Sequence, residues 1–96
     1  MKVVVRKYFG QGASRLIDVI EEHAADVERV IGAVNGLVSY TLVRTADGGF
    51  TVTVCEDQAG IDESTRRARE WIAENAGDIG AAAPEVSAGD VVIRLG

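Results

Sequence analysis

The chain has 96 residues, 47% hydrophobic and 26% charged, with a formal charge of −5 at pH 7. At this length roughly 60–65% of the unfolded surface becomes buried, enough for one domain over residues 1–96. With only five aromatic side chains the core must be aliphatic, and a lone Cys55 and a lone His23 supply neither an internal disulfide nor a four-ligand zinc site. The acidic balance argues against a nucleic-acid partner, and no apolar run approaches the roughly 18–20 residues a membrane span requires.

Lys2 to Phe9 opens the chain with Val3-Val4-Val5 and Tyr8-Phe9, β-branched and aromatic residues that suit a pleated strand. Charge arrives too early there for a secretory signal segment, so a cytoplasmic location is the default expectation. Gly10-Gln11-Gly12 reads as a turn. From Ala13 to Ala33 the apolar positions Leu16, Ile17, Ile20, Ala24, Val27 and Ile31 recur at helical spacing. That spacing predicts one continuous helix, with Ser14 a candidate cap and Asn35-Gly36 closing the segment.

Leu37–Thr45 predicts a second strand, and Ala46-Asp47-Gly48-Gly49 a hairpin, because Asp-Gly tolerates positive φ. Phe50 to Glu56 alternates strictly. Phe50, Val52 and Val54 share one face and Thr51, Thr53 and Cys55 the other. A second helix is predicted from about Ala59 to Ala76, with Asp57 or Asp62 as cap. Ile61, Thr65, Ala68, Ile72 and Ala76 form its apolar arc, and Asp62–Arg66 and Glu63–Arg67 are supporting pairs. A connection of small residues to Pro84 precedes a last strand, Val86 to Leu95.

The order β-α-β-β-α-β is the ferredoxin-like plan, an α+β fold with a four-stranded antiparallel sheet and two helices on one face. Two helices cover one sheet face only, so the other should alternate with polar residues. Val3-Val4-Val5, Leu37-Val38, Leu42-Val43 and Val91-Val92-Ile93 break that rule, since adjacent apolar residues point to both faces. The pattern points to a homodimer whose sheets pack face to face with edge strands meeting, burying about 800 Å² per partner; the alternative is that strand ends simply tolerate extra valines.

Several residues are candidates for chemistry. His23, placed on the apolar arc of the first helix, is the candidate catalytic base or ligand contact; the alternative is a core-edge histidine bonded to a backbone carbonyl. Trp71 and Asn75 on the second helix and Tyr40 on the second strand are candidate substrate contacts. Their alternatives are a core tryptophan, an amide bonded to the following loop, and packing at a dimer contact. Tyr8 offers a second phenol. Cys55 has no basic neighbour in sequence and reads as buried and inert. No metal or cofactor is called for.

The element order at this length, Val34-Asn35-Gly36-Leu37-Val38-Ser39-Tyr40 leading into strand two, and Val52-Thr53-Val54-Cys55-Glu56-Asp57 leading into helix two resemble the antibiotic biosynthesis monooxygenase-like family of the dimeric α+β barrel superfamily. The resemblance covers nearly the whole chain. It implies a dimeric α+β barrel and a small aromatic substrate oxidised without metal or flavin. The haem-degrading branch, with an Asn on strand one and a Trp and a His on helix two, is matched here by Trp71 alone. Three readings follow: a cofactor-independent monooxygenase, a non-enzymatic small-molecule-binding dimer, and a structural dimer.

Overall fold

The computed structural model describes residues 1–96. Four antiparallel strands, β1 (Lys2–Phe9), β2 (Leu37–Thr45), β3 (Gly48–Cys55) and β4 (Glu85–Asp90), form one sheet in the order β2-β3-β1-β4. Three helices, α1 (Ala13–Glu22), α2 (Ala24–Gly32) and α3 (Gln58–Ala76), lie on one side of it. This is the ferredoxin-like α+β fold expected from the element order, with one more helix than the periodicity predicts.

The extra helix arises from a break at His23. Its Nδ1–H donates to the Val19 carbonyl at 2.8 Å, and its backbone N–H is shared between Val19 and Ile20 at 3.2 Å each. A side chain that competes for a carbonyl of the i→i−4 ladder bends a helix. The apolar arc shifts at the break. Leu16, Ile17, Val19 and Ile20 are buried on α1 and Val27 and Ile31 on α2, while Ala24 is exposed. Ser14 caps nothing; the residue preceding α1 is Gly12, whose φ of +78° is left-handed. Asp57 does cap α3, accepting from the Gly60 N–H at 3.0 Å.

Gly48 and Gly49 belong to β3 rather than to the hairpin loop, which is Ala46-Asp47, and Asp47 has no positive φ. Glycine is required at 49 by packing. A Cβ there would lie 2.9 Å from Ile17 Cδ1 and 2.5 Å from the Val43 carbonyl oxygen, so α1 rests directly on the hairpin.

β4 ends at Asp90, five residues before the predicted end. The Val91 N–H bonds the Met1 carbonyl at 3.0 Å, the last rung on β1, and no neighbouring strand offers partners beyond it. Val92, Ile93 and Leu95 stand 89%, 81% and 92% exposed.

Register assigns the sheet's two faces, because directly paired residues share a face. Val4 opposes Thr53, Arg6 opposes Thr51 and Tyr8 opposes Gly49; these point to the helices. Val3 opposes Val54, Val5 opposes Val52 and Lys7 opposes Phe50; these point to the side that no helix covers. The main core, including Leu16, Ile17, Ile20, Val27, Ile31 and Trp71, lies under the helices. A smaller cluster of Val4, Val34, Cys55 and Ile61 closes the β3–α3 corner. On the α3 surface Glu63 pairs with Arg67 as predicted, at 3.0 Å, whereas Arg66 pairs with Glu70 and Asp62 accepts from Gln58. Arg67 also donates to the Val30 carbonyl at 3.1 Å, which ties α3 to α2.

Candidate functional site

The helix-covered face of β1 alternates Val4, Arg6, Tyr8. Tyr8 is buried with Val4, and strand periodicity then carries Arg6 inside with them. Only 5% of Arg6 is exposed, and its guanidinium donates to Thr65 Oγ1 on α3. Burial lowers its pKa, yet a guanidinium stays charged in a protein. Across the ladder Thr51 is buried with no partner for its hydroxyl, and Thr53 is in the same position.

Two adjoining hollows open around Arg6 and Tyr8. The smaller, about 20 Å³, lies among Arg6, Tyr8, Tyr40, Thr51 and Trp71, with room for about one water. The larger, about 420 Å³, is bounded by β1, α3, the 77–84 connection and Val86 of β4. Its volume falls within the range of small-molecule sites. Ala68, Ile72 and Pro84 supply apolar wall, while Arg6, Tyr8, Thr65 and Arg69 supply polar groups. Thr65, Ala68 and Ile72 were expected in the apolar arc of this helix. They are only half-buried because that stretch of the arc lines the cleft. The 77–84 connection holds the wall close: a Cβ on Gly12 would come within 3.0 Å of the Ala81 backbone.

Burial raises the Tyr8 phenol above its ordinary pKa, against the pull of Arg6 and Arg69. Burial, with Tyr8 adding to it, pushes Tyr40 up to about 12. Both phenols are therefore neutral hydrogen-bonding groups at physiological pH. Burial also raises the Cys55 thiol, and its side chain is fully enclosed. No group of three or more His, Cys, Asp and Glu side chains is assembled where a metal ion could be held.

The candidate residues separate into two sets. Trp71 and Tyr40 meet in the wall of the smaller hollow. Trp71 is 6% exposed, and its indole N–H donates to Asp26 Oδ2 at 2.8 Å, pinning α3 to α2. That bond, followed by one from Arg29, holds the Asp26 carboxyl below its usual pKa. His23 lies outside both hollows, exposed at the α1–α2 break, with its ring edge-on to Trp71 at 5.8 Å between centroids. Asn75 is exposed too, its amide donating to the Trp71 carbonyl at 2.9 Å, one turn back. A helix continuous through residue 23 would have carried the imidazole toward the sheet; the break at His23 leaves it outside.

Sequence reasoning passed over Arg6, Thr65 and Arg69 as site residues. The signal for Arg6 was present in the Val4-Arg6-Tyr8 alternation but was masked by the run Val3-Val4-Val5. Thr65 and Arg69, spaced i and i+4, needed only to be read as one helix stripe.

Solved structures of like fold include the haem-degrading protein MhuD of Mycobacterium tuberculosis, which holds two haems in its active site. It is 18% identical over 100% of both chains, with a TM-score of 0.70. The ActVA-Orf6 monooxygenase of Streptomyces coelicolor, in complex with nanaomycin D, is 18% identical over 98% of this chain and 88% of its own, at 0.64. A Bordetella bronchiseptica protein ascribed to the antibiotic biosynthesis monooxygenases is 18% identical over 96% and 97%, at 0.68. The chain has the fold of the antibiotic biosynthesis monooxygenase-like proteins. Likeness at this identity concerns the backbone plan alone. No protein-family profile matches the chain, and no curated protein matches it by sequence. No helix is long and apolar enough to cross a membrane.

Proposed function

We propose that the protein is a homodimer that binds a small, flat, mainly apolar molecule in the cleft between β1, α3 and the 77–84 connection. The observation that carries the reading is the 420 Å³ hollow, in which an aliphatic wall converges with Arg6, Tyr8, Thr65 and Arg69. Apolar enclosure with a few placed polar groups is the usual build of a small-molecule site. Trp71 and Tyr40 flank it from the smaller hollow and act as the aromatic boundary.

Dimerisation is supported by the other face of the sheet. Val3, Val5, Val43, Phe50 and Val52 lie there uncovered by any helix, and Val92, Ile93 and Leu95, after β4, add exposed apolar surface. A second copy placed sheet to sheet would bury these residues together.

A second reading, oxidation of the bound aromatic, is favoured by the fold likeness to a monooxygenase crystallised with nanaomycin D. Neither phenol at the cleft is a base near neutral pH. Oxidation would then depend on the acidity of the substrate itself.

A thermal-shift screen with flat aromatic compounds tests the binding reading, since a ligand of the native state raises its stability. Stabilisation lost on Ala68→Trp, which fills the cleft, is the expected result. Absence of any stabilising compound, or stabilisation unchanged by that substitution, would count against it. Oxygen consumption by the compounds that bind separates the two readings.

A further inference from the structure

The chain is acidic, yet no carboxylate lines either hollow. The charged groups facing the cleft are both guanidiniums, Arg6 and Arg69. Arg66 and Arg67, on the same helix as Arg69, are each paired with a glutamate, whereas Arg6 and Arg69 have no acidic partner. Arg6 is the more telling of the two. A buried cation is normally neutralised by an anion, because its hydration is lost without return. Arg6 is 95% enclosed and meets only the hydroxyl of Thr65. Opposite it on β3 the Thr51 hydroxyl, also buried, lacks any partner. The charge without a counter-charge lines the cavity of ligand size, and the hydroxyl without a partner lines the one-water hollow that adjoins it.

We infer that the cleft is built for an organic anion, a molecule with a flat apolar body and one carboxylate, the carboxylate held by Arg6 and Arg69 and the body lying along Ala68, Ile72 and Pro84. The inference rests on the small-molecule reading above and narrows it to a charge class. A planar guanidinium matches the two oxygens of a carboxylate. Arg6, already fixed by Thr65 and the β1 backbone, loses little freedom on binding. Arg69, at the open side of the cleft, is placed to close over the head group, and the neutral Tyr8 is placed to donate to it. The anion would supply the counter-charge that the fold leaves out.

The test compares 2-naphthoate with its neutral analogue 2-naphthamide by titration into the full chain, followed by backbone amide NMR. The expected result is that naphthoate binds at least about tenfold tighter than the amide, with shifts at Arg6, Tyr8 and residues 77–84. Arg69→Gln should remove most of that preference. It lies on the surface, so its fold is safe if Arg6→Gln fails to fold; where Arg6→Gln does fold, the preference should vanish. Equal affinity for both compounds at the cleft would overturn the anion inference and leave small-molecule binding standing. Naphthoate shifts confined to surface lysines would overturn the site. Failure of both compounds to perturb the cleft would count against both proposals.

Discussion

The two faces of the sheet blur the usual division of polarity, each mixing polar and apolar side chains. The face beneath the helices carries Arg6, Tyr8, Tyr40, Thr51 and Thr53 beside Val4, Leu42 and Cys55, while the uncovered face carries Val3, Val5, Val43, Phe50, Val52 and Val54 beside Lys7, Thr41, Glu85 and Ser87. A self-sufficient domain would place the valines under the helices and the threonines in water. On the function proposed above, the enclosed Arg6 and Tyr8 would serve the cleft, and Val3, Val5, Val43, Phe50 and Val52 would be covered by a second copy. Cross-strand pairing enforces the split, since one step of register slip would exchange the faces.

The comparison can be broken from either side. The largest effect is expected on the covered face. Trp71→Ala removes a side chain that is packed in the main core and bonded to Asp26, and should cost about 3–5 kcal/mol in denaturant unfolding. The oligomeric state should persist in the fraction that remains folded. Next, Val52→Asp places a carboxylate at the centre of the open face without disturbing any helix contact. Sedimentation should show the mass of the particle halved, with dimer affinity weakened roughly a hundredfold or more. A wild-type chain that sediments as a monomer at micromolar concentration would remove the basis of the comparison.

The pH dependence follows from Tyr40. Its folded pKa, about 12, stands above the unfolded value near 10, so the folded state holds the proton more tightly. Its contribution is fully present below pH 10 and is lost as pH rises toward 12, on the order of 2 kcal/mol in all. Tyr40→Phe should flatten that stretch of the stability profile. The smallest effect sharpens the contrast within one strand. Thr53→Val replaces a buried hydroxyl that lacks a partner with an isosteric methyl and should stabilise by about 1 kcal/mol. Thr51→Val should stabilise similarly, and should affect naphthoate binding more than Thr53→Val does, because only Thr51 lines the smaller hollow beside Arg6.

Which features could be read in advance depends on how local their causes are. The strand of Val52 and its neighbours was legible because a period of two is written in adjacent residues, and the α3 start because Asp57 satisfies a donor three residues away. The break at His23 was not legible. The periodicity of 13–33 continues through it, and the competing bond is made by a side chain whose rotamer no pattern records. The end of β4 was misread for a related reason, since Val91-Val92-Ile93 has strand character but lacks a neighbour to pair with beyond Val91.

By itself the sequence determined the order of strands and helical segments apart from the break at His23, the α+β class and the excess of apolar surface over what its own helices can cover. All of these follow from spacing and composition along the chain. Only the tertiary structure decided which face of β3 the helices cover, that Arg6 is enclosed beside Thr65 and opposite Thr51, and that His23 and Asn75 stand outside both hollows while Trp71 and Tyr40 line the smaller one. Those outcomes depend on register, on a helix break and on distances between residues far apart in the chain. The doubled valines that marked an unfilled surface also hid the arginine among them, because alternation is unreadable where every position is apolar enough to face inward.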